Sequence, residues 1–288
     1  MKIGIVFSCQ QRMLADVVRA VRPDAQLLHF DAAHLTGPTV REAVGHALRE
    51  CDHVLAIPLP PEYGPVAMAA LEEMGPRLTA LPSFGFAGFH PDTVYVETER
   101  GFLDGPTHHY HSRIAIAGYL TGRTPRQTMA LYNALVFGRC GYFEVFGHER
   151  RLAVALFAQF GMAIDHLFDR WITRGCFMHS MNHPVHWAFA DLGLVMCRRA
   201  GLIEADVMID PALVGDDLVK HAAHPLLPPL ARRLRLPGGT DYKRSHPSEI
   251  HHLALEEFLQ HEYDALATAS RAELEAVPMV SNLLAVLG

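Results

Sequence analysis

At 288 residues and 50% hydrophobic, the chain is long enough for one large domain or two small ones and has ample material for a core. A charged fraction of 19% excludes a disordered chain, and a formal charge of -6 argues against a dedicated nucleic-acid binder, whose footprint is basic. The unusual count is 19 histidines, which by itself does not choose between metal, proton chemistry and composition.

The first hundred residues alternate strand and helix signals. Residues 2–8 (KIGIVFS) are a short β-rich run, and residues 10–21 place Met13, Val17, Val18 and Val21 at helical spacing. A second strand is predicted at 25–30 and a helix at 39–50, with Thr36, Pro38 and Thr39 supplying turn and cap chemistry. Residues 53–57 read as a third strand stopped by Pro58, Pro60 and Pro61, 65–74 as a helix, and 83–89 (SFGFAGF) as a fourth strand. This alternation predicts an α/β fold with a Rossmann-like parallel sheet in the N-terminal half. Beyond His111 the character changes to long amphipathic segments at 112–120, 125–136, 150–174, 184–200 and 248–269. Residues 206–244, rich in Pro, Gly and charge, read as loop with short helices. The expected organisation is an α/β sheet region at 1–110 and a mainly helical region at 111–288, packed as one unit.

Residues 1–8 are too short an apolar stretch for a signal peptide. The longest apolar run, 152–164, contains Gln159 and falls short of the ~20 residues a bilayer span needs. The five cysteines, Cys9, Cys51, Cys140, Cys176 and Cys197, are odd in number and contain no C-x-x-C, which argues against a disulfide framework or zinc ribbon. The expectation is a soluble, cytoplasmic protein.

In open parallel sheets, ligands bind beyond the carboxyl ends of the strands. That rule directs attention to residues 8–11, 31–34, 58–63 and 90–92. Cys9 stands where the first strand yields to a helix, a position that lowers a thiol's pKa, and Gln10 with the following amides could donate to an oxyanion. A buried cysteine packing at a strand end is the plain alternative. His183 precedes Pro184, a residue suited to the first helical position, so His183 is expected to cap the helix 184–200 and to remain neutral and basic near pH 7. His179 and Asn182 could orient it, or Asn182 and His183 could simply cap. His108, His109 and His111 invite a metal, but no H-E-x-x-H or facial triad accompanies them. A His111-Ser112-Arg113 turn leading into a helix fits an anion better, with Arg113 bidentate to phosphate. His90, at the end of the expected fourth strand, would face the same rim as Cys9, or else belong to a turn of Gly, Pro and Asp. Lys243 and Arg244 follow two glycines and could neutralise a phosphate or sit on a solvated loop. His221, His224, His246, His251, His252 and His261 show no metal-ligand pattern.

Several of these segments run in order over nearly the whole chain: Ile5-Val6-Phe7-Ser8-Cys9-Gln10, then the stretch from Leu81 to Asp92, Tyr110-His111-Ser112, Asn182-His183-Pro184 and Tyr242-Lys243. Together they resemble the WcbI-type family of polysaccharide-biosynthesis proteins, regarded as acetyltransferases that bind coenzyme A. The family shows Gly-Asn before the Cys-Gln pair, where Phe7-Ser8 stand in this chain. The layout also looks like a distant variant of the SGNH hydrolase and acyltransferase architecture, with Cys9 in the nucleophile's place and His183 in the base's.

The resemblance implies acyl transfer from acetyl-CoA to a hydroxyl of a sugar or polysaccharide precursor, as in capsule or exopolysaccharide biosynthesis. Cys9, His183 and Gln10 would carry the chemistry. The donor site would draw on Ser8, Arg12, His90, His111, Ser112, Arg113, His179, Asn182, Lys243 and Arg244, with no metal. Neither nucleic acid nor a membrane span is expected, and the chain could form a homo-oligomer. An SGNH-like esterase or deacetylase using the same Cys–His pair, and a non-enzymatic histidine-rich metal- or ligand-binding protein, are the rival readings.

Overall fold

The computed structural model describes residues 1–204, 207–245 and 250–287. Asp206, His246 and Ser248, the last being the expected start of the final long helix, lie outside the described residues. Contacts divide the chain into two compact units. Unit 1 comprises Met1–Gly85, Arg151–Phe177 and His183–Leu218; unit 2 comprises Phe86–Arg150, Met178–Asn182 and Val219–Gly288.

Unit 1 is built on a four-stranded parallel sheet. Its elements run β1 (Lys2–Phe7), α1 (Gln11–Val21), β2 (Gln26–Asp31), α2 (Pro38–Arg49), β3 (His53–Ala56) and β4 (Leu78–Ala80). The strand order is β2-β1-β3-β4, with Phe7 in register with Asp31 and Val6 with Ala56. Ile3, Ile5, Val6 and Phe7 are all fully buried, the continuous apolar run expected of a strand covered on both faces. Gly4 admits α2 closely, since a Cβ there would lie 2.6 Å from Leu48. On α1, Met13, Leu14, Val17 and Val18 are buried, and Val17 fits over Gly193 of the helix His186–Arg199, where a Cβ would meet it at 2.8 Å. Because β2 lies on one side of β1 and β3 on the other, the chain reverses its winding at β1. The carboxyl end of β1 is therefore a topological switch point, where such sheets hold ligands.

The fourth strand differs from expectation. It is Leu78–Ala80, in register with β3, and the Leu81 N–H continues the pairing to the Ala56 carbonyl at 2.8 Å. Residues 83–89 form no strand. Phe84 and Phe86 are buried on either side of exposed Gly85, the alternation of a half-covered strand, but the Gln10 side chain takes the N–H and carbonyl of Phe84 in place of a neighbouring strand, and the segment ends in a short 3-10 turn at Ala87–Phe89. In unit 1, Phe84 joins an aromatic cluster with Trp171 at 5.8 Å, while Trp171 meets Phe168 at 5.4 Å and Phe177 at 5.1 Å.

Unit 2 pairs Thr93–Tyr95 with Tyr110–Ser112 in an antiparallel ladder and carries a second hairpin, Tyr242–Ser245 with Ile250–Leu253. Its helices include Arg113–Leu120, Pro125–Met129, Ala134–Arg139 and Leu255–Leu266. The expected helix 125–136 is broken because Asn133 caps a new one, accepting the N–H groups of Leu135 and Val136. The expected helix 150–174 is likewise two helices, Tyr142–Gln159 and Asp165–Arg174, separated where Gly161 adopts a φ of 74°. Among the described residues, no helix is long and apolar enough to cross a membrane.

Candidate functional site

The switch point of unit 1 is occupied by Ser8, Cys9 and Gln10. After Phe7 the chain turns tightly, with the Gln11 N–H donating to the Ser8 carbonyl at 2.8 Å, and α1 begins at once. Gln10 is 1% exposed. Its side-chain amide donates to the Phe84 carbonyl at 2.6 Å and accepts from the Phe84 N–H at 3.3 Å. These two bonds replace a sheet ladder for the segment after β4. They commit Gln10's side chain to holding that segment, a correction to its expected use as an oxyanion donor. Ser8 Oγ lies 3.0 Å from Ser83 Oγ, which brings the turn after β1 and the segment after β4 to one rim. Arg12, one residue into α1, is exposed.

Cys9 is a half-buried thiol that forms no disulfide. Burial and, next, the charge of Asp31 push its pKa up to about 11, against the pull of the Ser8 hydroxyl and the backbone N–H groups of Cys9 and Gln10. The expected lowering at a helix start is thus corrected: desolvation and a neighbouring carboxylate outweigh the pull of the backbone N–H groups. The resting group is a neutral thiol, and the Gln10 N–H beside it donates to Ser8 Oγ at 3.5 Å. Asp31, at the end of β2, lies in one of the segments the strand-end rule had marked. Ser83 carried no signal of its own.

His183 is also in unit 1, but its setting differs from expectation. His183–Pro184 is extended, and the helix begins at His186 with Val185 as its N-cap. A residue before proline is pushed out of the helical region, and the Val185 N–H is already bonded to the Phe177 carbonyl at 2.9 Å. His183 is therefore not the cap, and the helix-end argument for its neutrality loses its basis. It is 7% exposed.

The other expected site residues fall in unit 2, and most are bound into a buried polar network. His111 and Glu262 are both 0% exposed, and His111 Nδ1 lies 3.0 Å from Glu262 Oε1 while Nε2 lies 3.0 Å from the Leu103 carbonyl. Burial alone would lower the pKa of His111, but the charge and hydrogen bond of Glu262, with the Leu103 carbonyl, raise it. Ser112 caps the helix Arg113–Leu120 by accepting the Ala115 N–H at 3.0 Å, and its hydroxyl donates to Asp92. Asp92 also accepts from the Ile114 N–H at 3.0 Å and from the Tyr142 hydroxyl at 2.9 Å. The guanidinium of Arg113 donates to the Pro278 carbonyl at 3.1 Å and to the Pro91 carbonyl. The anion-binding turn read at 111–113 is thus corrected: two buried carboxylates and the carbonyls of Leu103, Pro278 and Pro91 face its side chains.

Asn182 is similarly committed. Its oxygen accepts from Tyr110 at 2.5 Å and Ser180 at 3.2 Å, and its nitrogen donates to Tyr95 at 3.1 Å. It supports a tyrosine cluster, which corrects the expectation that it orients His183. His90 Nε2 lies 3.2 Å from the His224 carbonyl, and burial takes its pKa down to about 4. The His179 carbonyl accepts the His224 N–H at 2.7 Å, so His179 borders the same cluster. His224 bridges Thr93 at 3.0 Å and Thr107 at 3.1 Å, and because the Thr107 hydroxyl donates to the Tyr110 carbonyl, His224 Nε2 must be its donating nitrogen. The cavity lined by His90, His111 and His224 has a volume of about 10 Å³, room for a single water and not for a nucleotide. Among the described residues, no group of three or more His, Cys, Asp or Glu could hold a metal ion. Lys243 is half-buried and Arg244 exposed on the hairpin Tyr242–Ser245.

Residues 2–204 match the family model of the polysaccharide biosynthesis enzyme WcbI. No curated protein matches. A solved structure described as WcbI, a novel polysaccharide biosynthesis enzyme, in its native form without a disulfide between CoA and one of its cysteines, is similar over 99% of this chain and 94% of its own. Its TM-score is 0.74 at 13% identity, a likeness of fold.

Proposed function

The chain belongs to the WcbI family of polysaccharide biosynthesis enzymes, and from that premise we propose that it is an acyltransferase moving an acetyl group from acetyl-CoA to a sugar hydroxyl. The observation that carries this reading is the half-buried Cys9 sulfur at the switch point of the sheet, immediately before the first N–H groups of α1. Those donors suit a sulfur that gains charge only during reaction, and the same donors would face the oxygen of a tetrahedral intermediate. The CoA named for the structural relative supports a thioester donor.

In the first half-reaction the Cys9 sulfur bonds to the acetyl carbon, its proton passes to His183, and the CoA sulfur leaves and is protonated in turn. One thioester replaces another, so the step is nearly isoenergetic, and a thiol needs no standing ionisation if its proton moves as the bond forms. The phosphates of CoA require cations, and in unit 1 the exposed Arg12, one residue into α1, is the side chain assigned to them. The acceptor would be a precursor of a capsule or exopolysaccharide, and the site of action the cytoplasm.

Intact-mass measurement after incubation with acetyl-CoA tests the reading. One acetyl group on wild type and none on Cys9→Ala is the expected result. Undiminished turnover in Cys9→Ala without an adduct would overturn the covalent route. Full activity on simple acetyl esters without any affinity for CoA would instead favour an esterase.

A further inference from the structure

One charged atom on the rim of unit 1 is not accounted for by the fold. Asp31 is the last residue of β2 and sits in register with Phe7, two residues before Cys9. Its side chain is only 15% exposed. Oδ1 accepts the Ala33 N–H at 3.0 Å and so caps the turn that follows. Oδ2 accepts no hydrogen bond among the described residues, and the nearest basic group, His34 Nδ1, is 3.9 Å away on a side chain that is 85% exposed. Oδ2 is open to solvent and takes no donor from the described residues, which leaves it available to a hydroxyl approaching the rim.

Asp31 faces Phe7 across the sheet, two residues short of the nucleophile, and its charge opposes formation of the Cys9 thiolate. It is therefore a poor helper for the first half-reaction. Once Cys9 carries an acyl group the sulfur has no charge to oppose, and an approaching hydroxyl brings just the proton that Oδ2 lacks.

We propose that Asp31 is the general base of the second half-reaction, holding the acceptor hydroxyl through Oδ2 and taking its proton. The proposal rests on the reading of Cys9 as the acyl carrier. The acceptor oxygen bonds to the acetyl carbon while its proton passes to Oδ2. The carbon–sulfur bond breaks, its electron pair goes to the Cys9 sulfur, and Asp31 returns the proton to that sulfur. The products are an acetyl ester and a neutral thiol, the state that Asp31's charge favours. His183 serves the loading step and Asp31 the transfer step.

Asp31→Asn separates charge from structure, because Asn also accepts an N–H at a cap position. Cys9 is loaded with p-nitrophenyl acetate, and the loss of the acetyl group is followed by intact mass with glycerol as the hydroxyl probe. Loss slowed about a hundredfold in Asp31→Asn, with faster alkylation of the unloaded Cys9 by iodoacetamide at pH 8, is the expected result. An unchanged rate of acetyl loss would overturn the proposal. Because loading in this way uses no CoA, the result bears on Asp31 whatever the natural donor proves to be, and acetyl-CoA is tested by its own adduct.

Discussion

The rim of unit 1 and the polar interior of unit 2 use the same residue types to opposite ends. In unit 2, His111, Ser112, Asp92 and Glu262 are joined by buried hydrogen bonds that include the Tyr142 hydroxyl and the Leu103 carbonyl, with Glu262 Oε2 alone among the Glu262 oxygens taking no donor from the described residues. In unit 1, the Cys9 sulfur is partly open and Asp31 keeps one carboxylate oxygen without a donor. A satisfied polar group contributes to stability and has little left to offer a substrate. A polar group left short of partners does the reverse. Access to solvent, more than residue type, separates the scaffold from the candidate site: His111 and Glu262 are fully buried, whereas Asp31 is not.

The largest effect expected on this contrast is in unit 2. Glu262→Ala removes the partner of a fully buried imidazole and of the Ser112 N–H, which accepts no substitute from solvent at that depth. The expected loss is about 3–5 kcal/mol in urea denaturation. The pair also sets a pH dependence. The folded protein holds the His111 proton more tightly than the unfolded chain does, so the pair's contribution is complete below about pH 6.5 and is lost as pH rises through the raised value. Stability curves from pH 6 upward are expected to fall in wild type and to flatten in Glu262→Ala. Equal slopes would mean the pair is not coupled as described.

An intermediate effect is expected from Gln10, which stands on the rim but behaves as scaffold. Gln10→Ala leaves both the N–H and the carbonyl of buried Phe84 unpaired, at a cost of about 2 kcal/mol. The acetyl adduct on Cys9 should still form, because the substitution leaves the thiol and the backbone of the turn in place. Loss of the adduct with unchanged stability would assign Gln10 to the chemistry instead.

These two cases also show how far the sequence could be read. The strand–helix alternation and the apolar run at Ile3–Phe7 were sufficient for the sheet, and the strand-end rule found Cys9 and the segment containing Asp31. Local patterns decided those features, and local patterns are what a sequence displays. The fourth strand was misplaced because Phe84, Phe86 and Phe89 mimic a strand's hydrophobicity, while the true strand is only three residues long. His183 was misread as a cap because a proline can end an extended segment as readily as it begins a helix. The pairing of His111 with Glu262 was invisible, since 151 residues separate them and no periodicity links the two. Without its partners, a histidine beside a serine and an arginine resembles an anion site.

The smallest expected effect discriminates best. If Asp31 belonged to the scaffold in the way Glu262 does, replacing it would cost several kcal/mol. If its second oxygen is held for a substrate, Asp31→Asn should change stability by no more than about 0.5 kcal/mol, because the cap on Ala33 survives and only an unpartnered charge is lost. Urea midpoints for wild type and Asp31→Asn, measured at pH 7, decide it. A loss comparable to that of Glu262→Ala would move Asp31 from the site to the scaffold and dissolve the contrast between the two units.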